Sequence, residues 1–224
     1  MPLDPTDFIR TRLPAAPVPG IPEIRLHKAA PASGLRNLEE QDDSFGSPYW
    51  AYHWAGGLAL ARFVLDRPET VAGRRVLDLG TGAGLVAIAA ALAGAAEVIG
   101  ADTDRYAIAA LPLNAALNGV TIAPLHADLT AGDPPAVDLV LVGDLFYDEA
   151  TAARVTAFLD KCLAAGIDVR IGDPWRAHLP QARLGLLARY EVAESGARTV
   201  PSGVFRLHAA STCPAGLSRA QPSG

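Results

Sequence analysis

The stretch Val76-Leu77-Asp78-Leu79-Gly80-Thr81-Gly82-Ala83-Gly84 decides the fold. Arg75 to Leu79 is a short β-rich run, and Leu85 to Leu92 is helical and stops near Gly94. The glycines between them let the backbone turn sharply and let a ligand approach closely. A dinucleotide fingerprint would read GxGxxG. Here the third glycine, Gly84, falls one residue early, and Leu85 stands where that pattern wants glycine. Asp78 comes two residues before the first glycine. A pyrophosphate has no use for a carboxylate at that point, whereas a ligand with a cationic amino-acid end does.

Strands and helices alternate outward from this turn. Glu97 to Ala101 is a second strand, and Arg105 to Asn118 is a helix that stops at Asn118-Gly119. Thr121 to Leu125 is a third strand. Val137 to Val142 is a fourth, apolar on both faces as a central parallel strand is. A helix over Glu149 to Leu163 and a fifth strand over Ile167 to Ile171 follow. Leu184 to Val192 and Gly203 to Ala209 read as an antiparallel pair. Upstream, apolar residues at 54, 58, 61 and 65 mark one face of a helix that Pro68 ends. Pro2 to Pro22, with its six prolines, reads as an extended arm. The expected organisation is an N-terminal arm and loop over 1–46, one domain over 47–210 and a flexible tail over 211–224.

A βαβαβ rhythm implies a doubly wound α/β sheet, which binds ligands beyond the carboxyl ends of its strands. The residues just after each strand therefore carry the chemistry. Asp102 closes the second strand, 22 residues after Gly80, where a βαβ unit places a carboxylate for ribose hydroxyls. Asp104 reads as the cap of the next helix. Asp128 follows the third strand and could meet the exocyclic amine of an adenine; the competing reading is a turn aspartate. After the fourth strand come Asp144, Phe146 and Tyr147. A carboxylate can orient an amine, and aromatic rings can pack around its stem and attract its cationic form. The five histidines are scattered with no metal-ligand spacing; His53, beside the aromatic cluster, is a candidate proton acceptor.

Asp78, the Gly-x-Gly-x-Gly turn and Asp102, in this order and spacing, resemble the class I S-adenosylmethionine-dependent methyltransferases. The resemblance implies a Rossmann-like, mostly parallel seven-strand sheet with an antiparallel last strand, and S-adenosylmethionine as cofactor. It also implies that Asp78 faces the methionine part, Gly80 and Gly82 line it, Asp102 holds the ribose and Asp128 lies near the adenine. Asp144-Leu145-Phe146-Tyr147 matches the D-x-x-Y motif of seven-strand protein lysine methyltransferases. Three further segments narrow the likeness: Ile21 to His27, Pro48 to Gly57, and Ile171-Gly172-Asp173-Pro174-Trp175-Arg176. Together with Gly143 to Glu149 they are similar to the electron transfer flavoprotein beta subunit lysine methyltransferase family. By that resemblance Trp54 lies at the cofactor, Asp144 and Tyr147 are catalytic, and the substrate is a lysine of that flavoprotein subunit. A ribosomal protein or a small amine is the alternative acceptor. A nucleotide-cofactor oxidoreductase is the alternative enzyme, and the displaced glycine and Asp78 speak against it. Asp173 reads either as a substrate-side carboxylate or as an Asp-Pro turn.

Composition sets outer limits. Of 224 residues half are apolar and 19% charged, enough for a sizeable core, and the net charge is −5. A wholesale basic surface for nucleic acid or anionic lipid is not expected. The run Glu39, Glu40, Asp42 and Asp43 reads as a solvated loop able to attract a basic partner. Cys162 and Cys213 form neither a disulfide framework nor a zinc motif, which points to a reducing, cytoplasmic setting. The longest mainly apolar stretch, Leu85 to Gly100, is too short to span a bilayer.

Overall fold

The computed structural model describes residues 4–31, 33–35, 47–193 and 199–210. The acidic run at 39–43 and the tail from 211 onward lie outside the described residues. Its elements are α1 (Pro5–Arg12), β1 (Ala15–Val18), β2 (Ile21–His27), α2 (Ala55–Asp66), β3 (Arg75–Leu79), α3 (Leu85–Leu92) and β4 (Glu97–Asp102). They continue with α4 (Arg105–Leu117), β5 (Ala123–His126), β6 (Leu139–Gly143), α5 (Glu149–Ala164), β7 (Asp168–Asp173), β8 (Leu184–Ala193) and β9 (Thr199–Leu207).

Seven strands form one sheet in the order β5-β4-β3-β6-β7-β9-β8. Strands β3 to β7 pair in parallel, and β9 runs antiparallel to both β7 and β8. The period of two along each strand divides the core. Val76, Leu139 and Leu141 pack with α2, α3 and α4, while Leu77, Leu79, Val140 and Val142 pack with α5 on the opposite face. The chain runs outward from β3 to β5, then returns to β6 on the other side of β3. That reversal opens a crevice at the carboxyl ends of β3 and β6. Leu79 pairs with Val142, so the Gly80 turn and the residues after Gly143 start side by side.

The N-terminal segment differs from the expected arm. Pro5 stands at the first helical position, where its missing N–H is not needed, and the Asp4 carboxylate accepts from the Thr6 amide at 2.8 Å. Phe8 and Ile9 are buried with Trp50 and Tyr106 in a separate small core. The β1–β2 hairpin is stitched to α4 by two asparagines. Asn114 Oδ1 accepts from the His27 amide at 2.8 Å, and Asn118 accepts from and donates to the Arg25 backbone at 2.9 and 2.7 Å. The prolines thus delimit a capped helix and a hairpin instead of extending the chain.

Candidate active site

A cleft of about 850 Å3 opens beyond the strand ends, and all eight candidate residues line it: Trp54, Asp78, Gly80, Gly82, Asp102, Asp128, Asp144 and Tyr147. Its floor is the glycine turn, where Gly80, Gly82 and Gly84 have φ of 69°, 52° and 92°. Those left-handed conformations strain any side chain with a Cβ, and a Cβ on Gly80 would also stand 2.7 Å from the Leu145 side chain.

The carboxylates around this turn are tied to its backbone. Asp78 is 2% exposed; its Oδ2 accepts from the Thr81 hydroxyl at 2.7 Å and the Ala87 amide at 3.0 Å. Burial pushes its carboxyl up to about 7, against the pull of those two bonds. Asp102 accepts from the Gly82 amide at 2.9 Å through Oδ2 and from the Asp104 amide at 2.9 Å through Oδ1. It thereby fixes the turn from the neighbouring strand. Asp104 caps α4, accepting from Tyr106 N at 2.7 Å. Asp128 accepts from Thr130 N and Oγ1 at 2.9 and 2.5 Å and meets Arg154 at 3.4 Å. The Thr130 hydroxyl bond holds its carboxyl below the usual range.

The other half of the cleft has a different construction. Helix α2 starts at Trp54-Ala55-Gly56-Gly57, and Trp54 offers no side-chain cap. Asp144 supplies one from 88 residues away. Its Oδ1 accepts from Gly56 N at 3.0 Å and its Oδ2 from Gly57 N at 2.5 Å. Both amides are among the orphan donors of a helix start, so the carboxylate sits at the helix's positive end. Glycine at 56 is required by contact: a Cβ there would overlap the Gly172 carbonyl and stand 2.9 Å from Asp144 Cγ. Burial raises the Asp144 carboxyl above its ordinary value, opposed first by the charge of Arg176. Asp144 and Trp175 are the non-glycine residues with positive φ among the described residues, at 63° and 60°. Such conformations cost on the order of 1–3 kcal/mol and persist where surrounding contacts enforce them.

Two consecutive residues then diverge. Tyr147 is 58% exposed and its ring stacks on Tyr49 at 6.5 Å; Tyr49 in turn lies 5.8 Å from Trp54, whose Nε1 donates to the Tyr49 carbonyl at 2.9 Å. Trp54, Tyr49 and Tyr147 thus make an exposed aromatic wall along the cleft. Phe146 corrects the expectation that it packs around an amine: it is fully buried in the core shared with α5. Trp50 is buried and packs on Tyr106 at 6.0 Å as core. His53 is 7% exposed, and burial, with the charge of Lys28 adding, pushes its imidazole down to about 4. Its Nε2 is shut off from solvent without a partner among the described residues. A ring so weakly basic is a poor proton acceptor at neutral pH.

Arg176 is the functional neighbour that the motif reading missed. Its Nη1 donates to Asp144 Oδ1 at 2.5 Å and to Asp173 Oδ2 at 3.1 Å. Its own amide donates to Asp173 Oδ1 at 2.7 Å. Asp173 is fully buried, so it serves as the seat of Arg176 rather than as a substrate-side carboxylate. The available signal was the position of Arg176 after β7, next to β6 and three residues from Asp173, an acid that burial would leave in need of a cation.

This strand order, the Asp78 to Gly84 turn and the cleft beyond β3 and β6 define a class I methyltransferase, the class that takes its methyl group from S-adenosylmethionine. The fold is shared with the 16S rRNA N2 G1207 methyltransferase of Thermus thermophilus in complex with AdoMet and guanosine, with TM-score 0.52 and 23% identity over 70% of this chain and 44% of that one. The chain belongs to the electron transfer flavoprotein beta subunit lysine methyltransferase family. It is 41% identical to the Danio rerio member over 180 residues, covering 78% of this chain and 70% of the relative. To the Xenopus laevis member it is 38% identical over 197 residues, covering 85% and 80%. The family model for ribosomal protein L11 methyltransferase (PrmA) matches residues 59–142. That match holds the glycine turn and strands β3 to β5. It ends two residues before Asp144.

Proposed function

We propose that the protein transfers the methyl group of S-adenosylmethionine to lysine amines of the electron transfer flavoprotein beta subunit. The observation that carries this reading is the reach of the likeness. The flavoprotein-subunit methyltransferases match over 78% and 85% of the chain, whereas the L11 methyltransferase model stops at residue 142, before the Asp144 loop. Cofactor binding is common to many methyltransferases; the residues after β6 and β7 face the acceptor and set its class.

The cleft fits the cofactor. A glycine floor without Cβ atoms admits a close approach, and acidic side chains and the Trp54 indole line the space above it. In this reading Asp78 attracts the ammonium of the methionine part, Gly80 and Gly82 lie under it, Asp102 borders the ribose, Asp128 the adenine, and Trp54 closes the edge. The cofactor supplies an electrophilic methyl group. The chain must present a neutral amine in line with it, and a free lysine, with a pKa of about 10.4, is mostly charged at neutral pH. Asp144 orients the amine, and Tyr147 and Tyr49 flank its stem. The proton leaves to water, the nitrogen lone pair forms the new bond to carbon, and the carbon–sulfur bond breaks with its pair retained on sulfur. Rate enhancement comes from positioning and fixed charge.

The test is to incubate the protein with labelled cofactor, first with the purified flavoprotein beta subunit from the same organism and then with its proteome extract, and to map modified residues. Methylated lysines on that subunit are expected. Label on another protein or on a small amine, with the subunit unlabelled, would overturn the named substrate and leave the chemistry standing.

A further inference from the structure

Resting on that reading, we propose that Arg176 is a positioning residue for the transfer: it fixes Asp144 as an ionised carboxylate with one oxygen already spent, so that the incoming lysine meets a weakened negative charge and releases its proton more readily.

The geometry gives the reason. Asp144 Oδ1 takes two donors, the Gly56 amide and Arg176 Nη1, while Oδ2 takes one, the Gly57 amide at 2.5 Å. Oδ2 therefore keeps acceptor capacity and Oδ1 is used up. A buried carboxylate without a cation would drift toward its protonated form and lose its hold on an ammonium. Once ionised at higher pH, the same carboxylate without neutralisation would hold the ammonium too well, because opposite charge favours the protonated amine. Arg176 addresses both: its guanidinium touches the carboxylate, and it stays charged under any working condition. Asp173, fully buried, holds Arg176 by one bond from its guanidinium and one from its backbone amide, and leaves the three-residue cluster with one net negative charge.

Tyr147 and His53, which line the same cleft, do not supply this charge. Tyr147, from the loop after β6, carries a phenol. His53, before α2, is held neutral by burial. Arg189 on β8 lies over the Trp175 ring at 4.7 Å, one residue removed from Arg176, and steadies the left-handed turn that presents it.

The experiment compares pH–rate profiles for methyl transfer at saturating substrates in the wild type, Arg176→Gln and Arg176→Lys, with cofactor affinity and thermal melting as checks of folding. Losing the cation makes both Asp144 and the bound amine harder to deprotonate. The acid limb of kcat should therefore move to higher pH in Arg176→Gln, by about 1 to 3 units, the range for a charge partner within contact. Arg176→Lys keeps the charge and should keep the limb near its wild-type position, though with lower turnover. Should Arg176→Gln fail to fold, Arg176→Met, an apolar side chain of similar length, carries the same expectation. An unmoved limb in the charge-free variant, with turnover reduced alike in Gln and Lys, would make Arg176 merely structural and overturn the inference while leaving the proposed function intact. A wild-type protein that methylates no lysine would overturn both.

Discussion

The two halves of the cleft reach order by opposite routes. Under β3 and β4 the acidic side chains turn inward onto nearby groups: Asp102 onto the Gly82 and Asp104 amides, Asp78 onto the Thr81 hydroxyl and the Ala87 amide. Each bond spans at most 20 residues. Beyond β6 and β7 the contacts are long-range and charged. Asp144 reaches the start of α2 across 88 residues and Arg176 across 32. A local design of the first kind can be copied whole between enzymes, and the L11 methyltransferase model matches this chain there. A design of the second kind depends on how three separate segments meet, so it belongs to the narrower family.

The largest expected effect separates neighbours within the second half. Phe146→Ala should cost about 3–5 kcal/mol of stability, because it empties a fully buried site. Tyr147→Ala, exposed in the wall, should stay within roughly 0.5 kcal/mol and lower turnover instead. Chemical denaturation and initial rates on both variants check this; equal destabilisation would erase the division between core and wall.

Next comes a crossed pair. Asp144→Asn should leave cofactor affinity within a few-fold and cut methyl transfer by about 100- to 1,000-fold, the loss typical of a removed preorganised contact. Asp102→Ala should instead weaken cofactor binding by about 1.5–3 kcal/mol, or roughly 10- to 150-fold, as a charge-assisted contact and the support of Gly82 are lost. Calorimetry and single-turnover rates read the two effects separately. If both variants lose cofactor equally, the cleft is not divided as described.

The smallest effect is one of pH. The Asp78 carboxyl is raised to about 7 in the free protein, so it binds a proton through the mildly acidic range. A cationic ligand end favours the ionised form and lowers that value on binding. Binding therefore releases a proton, and affinity should rise as pH climbs toward 7 and level off above it, by at most about tenfold per unit. Titrations at pH 6, 7 and 8 should show this in the wild type and a flat response in Asp78→Asn. A slope that persists in the variant would assign the proton elsewhere.

Legibility followed the same divide. The β3 to α5 core could be read from residues in order, because alternation and helical spacing are local signals. Arg75 to Leu79 and Leu85 to Leu92 fall where periodicity places them. The α1 helix was not legible because proline at a first helical position looks, in a list of prolines, like any other. Phe146 was misdirected because it was read with the motif residues beside it as facing the cleft, whereas it stays on the face of Val140 and Val142 and joins their core with α5. Arg176 gave only its spacing from Asp173 as a local sign, since what it answers is the burial of two acids, and that burial becomes visible only once β6 and β7 lie together.

The seating of α2 also bears on how the chain comes to be made. The helix is complete at residue 66, yet it packs on β7, β8 and β9, the last of which ends at residue 207. A nascent chain can pair β3, β4 and β5 early, while α2 waits with its apolar face uncovered and its first amides uncapped. Synthesis from the amino end thus leaves a sticky intermediate until the final hairpin emerges. A chain cut short before β9 would keep the cofactor turn but would expose the surface that invites aggregation.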